Sequence, residues 1–147
     1  MDPAADLAAN LAANKALAAR YYDEVLTGRD LGALDELLAD DFTSWTLAGA
    51  RVDRATYGQA VAASHRAFGD LVVTVLDQVA EGDKVVTRWR AEGTNDGDFA
   101  GLPATGRRVA LAAIHVHRVA GGRLAEHWEA LDQLDLLRQL GALPSGG

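Results

Sequence analysis

Cysteine is absent from this chain of 147 residues. Its absence excludes a disulfide framework, a thiolate metal site and a cysteine nucleophile. There is no excess of positive charge: the formal net charge is −7 and the pI is about 4.9. An acidic chain of this kind argues against nucleic acid and against an anionic membrane surface as partners. No stretch approaches the roughly 20 apolar residues that a membrane span needs. The N-terminal segment, MDPAADLAANLAANKALAARYYDEV, has no basic run ahead of a long apolar one, so no signal peptide is read there and the expected location is the cytoplasm. No internal repeat stands out. No glycine-rich phosphate loop lies between a strand and a helix, and no HExxH is present.

What remains is an apolar-rich chain, 49% hydrophobic, of single-domain length. Its first half reads as helices. Asp2 and Pro3 supply a cap and a first turn. Leu17, Tyr21 and Val25 form one ridge, Ala18, Tyr22 and Leu26 the next, and Gly28 is read as the stop. Asp30 caps a short second helix through Leu38. A short extended piece, Phe42 to Leu47, follows. Asp53 caps a third helix carrying Tyr57, Val61, Ser64, His65 and Phe68.

The second half reads as strands: Leu71 to Ala80, Lys84 to Thr94, Val109 to Val119 and Leu124 to Leu131. Turns at Glu81-Gly82-Asp83 and Gly121-Gly122 make hairpins, so the sheet is expected to be largely antiparallel. Asn95 to Gly106 is a long loop. Asp132 caps a closing helix that ends at Gly141, and Pro144 to Gly147 read as a loose tail. Helices followed by a curved antiparallel sheet give an α+β class. A sheet that wraps helices leaves a cavity at its open end, a usual place for a small-molecule site.

Three of the four histidines, His115, His117 and His127, fall on the last two strands. Alternation puts His115 with His117 on one face, and His127 with Glu129 on one face. Whether the faces coincide depends on the hairpin. A two-residue turn sets His115 opposite Trp128 and turns His127 away. A three-residue loop, Ala120-Gly121-Gly122, sets His115 opposite His127 and Ala113 opposite Glu129. Pattern alone leaves both registers open, since both faces of Val109 to Val119 carry apolar residues. Gly122 suits the left-handed position of the three-residue loop, which is preferred partly for the family resemblance given below. That loop gathers His115, His127 and Glu129 into a cluster able to take a proton from an acidic C–H and return one to an oxygen. The plain alternative is a set of polar groups satisfying one another at a sheet edge. Two histidines and a carboxylate could also form a facial metal triad, but the spacing matches no metal motif, and no metal or cofactor is expected. Tyr21, Tyr22, Trp45, Trp89 and Phe99 are candidates for contact with a flat aromatic ligand. Arg88, Arg90 and Glu92 alternate on one strand face and read as a solvated or dimer-facing stripe.

Several segments resemble one family. Gly93-Thr94, Gly97, Phe99, Gly101, Pro103 and Thr105-Gly106-Arg107 resemble the GT-x-x-G-x-F-x-G-x-P-x-TGR loop of SnoaL-like polyketide cyclases. Gly122-Arg123-Leu124-Ala125-Glu126-His127-Trp128 is similar to their G-R-I-x-E-H-W strand. Asp132-Gln133-Leu134 to Gln139-Leu140-Gly141 is similar to their closing helix, and Asn14-Lys15 with Tyr21-Tyr22 and Val25 to their first. The resemblance covers about residues 10–141 of a single domain spanning 1–147. It implies a nuclear transport factor 2-like (cystatin-like) cone, with a curved antiparallel sheet wrapped around three N-terminal helices. It further implies a homo-oligomer, dimer or tetramer, and a small hydrophobic aromatic ligand. The implied activity is cofactor-independent ring closure of an anthraquinone-type methyl ester by intramolecular aldol condensation. By position, the implied catalytic groups are Glu129, His127 and His115. Two departures stand out: Glu129 replaces the cyclases' Asp, and Ser44-Trp45 stand where the family often has His or Asn. Isomerisation, epoxide opening, or ligand binding without catalysis are the other expectations for such a pocket.

Overall fold

The computed structural model describes residues 2–143; the expected tail, Pro144 to Gly147, lies outside them. The four aspartate caps form as local chemistry dictates. Asp2, Asp30, Asp53 and Asp132 each accept a backbone N–H from the first turn that follows. They open α1 (Pro3–Arg20), α2 (Leu31–Leu37), α3 (Arg54–Ala67) and α4 (Gln133–Gln139).

α1 does not run as one α-helix to Gly28. From Tyr21 to Thr27 the chain winds as a π-helix, closed by Gly28 N donating to Asp23 O at 2.9 Å. The wider turn suits a segment in which Tyr21, Tyr22, Val25 and Leu26 are all buried. Gly28 is also not a left-handed stop, since its φ is −72°. It is needed because a Cβ there would lie 2.5 Å from the Glu24 carbonyl oxygen. The left-handed residue is Arg29, with φ 58°. Its guanidinium is held by the carbonyls of His65, Phe68 and Gly69.

The strands are β1 (Leu38–Trp45), β2 (Arg51–Asp53), β3 (Val72–Glu81), β4 (Lys84–Thr94), β5 (Arg108–Ala120) and β6 (Arg123–Leu131). They make one sheet in the order β2-β1-β6-β5-β4-β3. Every pairing is antiparallel except β1 with β6, which is parallel. β1 begins earlier than the Phe42 start read from the sequence. Irregular pairings in β1–β6, β3–β4 and β5–β6 bend the sheet. Its concave face packs on α1, the π-helical turns and α3. On β4, Val85, Thr87, Trp89 and Ala91 point inward and are buried. Lys84, Val86, Arg88 and Arg90 alternate with them on the outer face. There Arg88 pairs with Asp77, and Glu92 with Arg90 and Arg108. Among the described residues, no helix is long and apolar enough to cross a membrane.

The β5–β6 hairpin follows neither register considered from the sequence. Its turn is the two-residue Gly121-Gly122, with Ala120 opposite Arg123, and not the preferred three-residue loop. Past Val119↔Leu124 the pairing resumes at Arg118↔Glu126, which leaves Ala125 as an extra residue on β6. Leu124 and Ala125 are consecutive and both buried. This bulge restores the parity that the short turn alone would have lost. His117 therefore faces His127, and His115 faces Glu129.

Candidate active site

The sheet's concave face and the two helical walls enclose a cavity of about 200 Å³. The π-helical turn supplies Tyr21, α3 supplies Tyr57 and Ser64, and β4 supplies Trp89. The hairpin supplies His115, His127 and Glu129, and the long loop supplies Phe99. Most of the wall is apolar. A second cleft, about 460 Å³, adjoins it and shares Tyr57, His127, Glu129 and Leu131.

Within this setting the polar groups are tightly partnered. His115 Nε2 lies 3.0 Å from Glu129 Oε1, and His115 Nδ1 lies 2.9 Å from the Tyr22 hydroxyl. His127 Nδ1 meets Ser44 Oγ at 3.0 Å. Tyr57 donates its hydroxyl proton to Tyr21 at 2.5 Å, which leaves the Tyr21 proton free for another acceptor. Glu129 is the accessible member, with its side chain 38% exposed against 3% for His115. Burial pushes the phenols of Tyr21, Tyr22 and Tyr57 up, so all three stay protonated near neutrality. Burial, with His115 nearby, pushes His117 and His127 well below the ordinary histidine value. Both are neutral at pH 7.

The nitrogens of His115, His117 and His127 come within 4.8 Å of one another, and all three residues are buried. Among the described residues, His117 Nδ1 and His127 Nε2 have no partner. His115 has both nitrogens bonded already. A cation held by all three would have to break the contact to Tyr22 or the one to Glu129.

The structure brings together Tyr21, Trp89, Phe99, His115, His127 and Glu129. Two expected ligand contacts lie elsewhere. Tyr22 is fully buried behind His115 and does not reach the cavity. Trp45 lines the adjoining cleft, and its indole N–H donates to Glu126 at 2.9 Å. Ser44, Tyr57 and His117 were not among the site residues expected from the sequence. Ser44 could have been found by period-2 alternation from the inward Phe42; His117 was read on the face of His115 but left out of the cluster. Tyr57 carried only a helical-period signal. Ser44 answers the second departure, because its hydroxyl holds the strand histidine His127. His65 lies outside the site, with Nε2 3.1 Å from the Leu26 carbonyl oxygen.

The family model for SnoaL-like polyketide cyclases matches residues 16–140. The chain belongs to this family. Over 49 residues it is 41% identical to the aklanonic acid methyl ester cyclases DnrD of Streptomyces peucetius and DauD of Streptomyces sp. (strain C5). That stretch is 33% of this chain and spans 34% and 30% of those relatives. Among solved structures, AclR of Streptomyces galilaeus, a candidate hydroxylase, aligns with a TM-score of 0.85 at 28% identity, covering 93% of this chain and 86% of its own. TsrD of Streptomyces laurentii aligns at 0.80 and 32% identity, covering 90% and 97%. IdmH of Streptomyces antibioticus, a candidate polyketide cyclase, aligns at 0.76 and 32%, covering 87% and 98%. The nuclear transport factor 2-like α+β cone of the family is thus the fold of this chain.

Proposed function

We propose that this chain is a cyclase that closes a ring of an aromatic polyketide methyl ester by intramolecular aldol condensation, with Glu129 as general acid/base. One observation carries the reading: a half-exposed carboxylate stands in a largely apolar cavity, 3.0 Å from a buried imidazole nitrogen. In the reaction, the Glu129 carboxylate takes a proton from a C–H flanked by two carbonyls. The enolate carbon bonds to a ketone carbon of the same molecule. The ketone's π pair becomes an alkoxide, which takes a proton back, so one C–C bond forms and no atom is lost. Conjugated rings spread the enolate charge over the ligand.

The chain's other groups fit this course. The Tyr21 hydroxyl, whose oxygen already accepts from Tyr57, has its own proton to give to the developing oxyanion. The Trp89 ring lines the cavity and offers a flat aromatic face to such a ligand. The cavity and the adjoining cleft share Glu129 and His127, so a flat ligand larger than either lobe can still reach the carboxylate. The names of DnrD and DauD point to the same substrate class.

The test is turnover of an anthraquinone β-keto methyl ester by wild type and Glu129→Gln, followed by absorbance and mass. A mass-neutral product that falls by about a hundredfold or more in the variant is the expected outcome. Equal turnover in both proteins removes Glu129 from the chemistry. A second reading, hydroxylation, rests on the similarity to AclR. A product heavier by one oxygen, formed only when dioxygen and a two-electron reductant are supplied, would favour it.

A further inference from the structure

Behind the site runs a chain of hydrogen bonds whose direction is fixed at its far end. The Gln78 side-chain nitrogen, which can only donate, lies 3.0 Å from the Lys15 carbonyl oxygen and 3.2 Å from Thr87 Oγ1. Thr87 is fully buried and accepts there, so its own proton must go onward. Thr87 pairs with His115 in the β4–β5 register, on the buried face where the Tyr22 hydroxyl meets that imidazole, so the Tyr22 oxygen is the acceptor in reach. Tyr22 then accepts from Thr87, and its proton goes to the remaining neighbour, His115 Nδ1, at 2.9 Å. With Nδ1 accepting, a neutral His115 carries its proton on Nε2. That N–H faces Glu129 Oε1 at 3.0 Å. The Tyr22 ring also stacks on the imidazole, 26° from parallel, which fixes its plane.

We propose that Tyr22, directed by Gln78 and Thr87, is a positioning residue that holds His115 as the Nε2–H tautomer and so keeps a donor on the Glu129 carboxylate. The catalytic part of this inference rests on the reading of Glu129 as the acid/base; the tautomer does not. The logic is that of any imidazole whose remote nitrogen is engaged: the far partner sets which proton the near nitrogen can offer. None of the three positioning groups touches the cavity, so each acts through His115.

The experiment is long-range ¹H–¹⁵N correlation of the histidine rings in wild type, Tyr22→Phe and Gln78→Glu, with turnover measured beside it. In wild type, His115 is expected with a protonated Nε2 and a bare Nδ1. Tyr22→Phe leaves Nδ1 buried and unpartnered, and a fraction of the Nδ1–H form should appear. Gln78→Glu keeps every cavity-lining side chain and covers the case in which Tyr22→Phe does not fold. Its carboxylate can only accept, so the chain reverses and the Nδ1–H form should appear there too. Turnover in Tyr22→Phe should fall about tenfold in kcat with KM within about twofold, because the donor to Glu129 is weakened and no ligand contact is lost. A wild-type His115 protonated on Nδ1 overturns the proposal. So does an unchanged tautomer in both variants. A tautomer that shifts as described while Glu129→Gln turns over like wild type overturns the catalytic reading alone.

Discussion

His117 and His127 are 1% and 2% exposed, and each has a ring nitrogen with no partner among the described residues. Desolvation holds both below the ordinary histidine value in the folded chain. In the unfolded chain they titrate near about 6.5. As pH falls through that value the unfolded state takes up protons that the folded state refuses, and stability falls with it. The loss begins near the unfolded value and continues until the folded histidines titrate. Each contributes a slope of about 1.4 kcal/mol per pH unit in that window. Urea unfolding of wild type and His117→Gln at several pH values between 7 and 5, a range of roughly two units, is the check. The variant should show the shallower pH dependence by about one proton. Equal slopes would mean that His117 is protonated in the folded protein. The sequence placed His127 in a cluster with His115 and Glu129, and His117 on the face of His115, but not the groups packed around them. Ser44 and His127 are 83 positions apart, and Tyr57 and Tyr21 are 36 apart. The aspartate caps, by contrast, bond within two or three residues and could be read directly.

At the scale of elements, the loop Asn95 to Gly106 is tied to the end of α3 by backbone contact. Gly97 N donates to the Ala67 carbonyl at 3.2 Å, and the Asn95 side chain donates to the Ala67 and Gly97 carbonyls. A Cβ at Gly97 would lie 2.0 Å from the Arg66 carbonyl oxygen, a backbone atom that cannot swing aside. This close approach is the physical content of one glycine in the family motif. Gly97→Ala should therefore cost about 2 kcal/mol, measured by urea unfolding, and should loosen Phe99 from the cavity wall. A change within about 0.5 kcal/mol would show that the loop moves off α3 freely. The hairpin marks where sequence reading stopped. Turn length and bulge each shift parity by one, so two errors of register can cancel. Glycine at both Gly121 and Gly122 permits either turn, and nothing in Leu124-Ala125 announces an extra residue. The shared face of His115, His127 and Glu129 was reached through a turn that the chain does not form, with the family resemblance as support; the pairing of His115 with Glu129 was not read. The π-helical turn was hidden for a similar reason, since two adjacent helical ridges look alike whether or not the helix widens.

For the whole molecule, the sheet separates a ligand face from an outer face, and the three tryptophans sample both. Trp89 lines the cavity and Trp45 lines the adjoining cleft. Trp128 pairs with Val116 on β5's outer side, with Lys84 Nζ 5.8 Å from its ring centre. A quinone-bearing ligand seated in the cavity against Glu129 comes within contact of Trp89, and its ring system quenches an indole it touches. Titrating the anthraquinone ester should therefore quench the wild-type fluorescence and raise Tm, by mass action on the folded state. In Trp89→Phe the quenching should largely vanish while a Tm rise persists, because the other cavity contacts remain. In Trp45→Phe it should persist unless the ligand also fills the cleft, where a partial loss measures how far it extends. Quenching undiminished in Trp89→Phe would place the ligand outside the cavity; if it is then lost in Trp45→Phe, the ligand sits in the adjoining cleft that shares Glu129, and if it survives both, the role of Glu129 must be sought elsewhere.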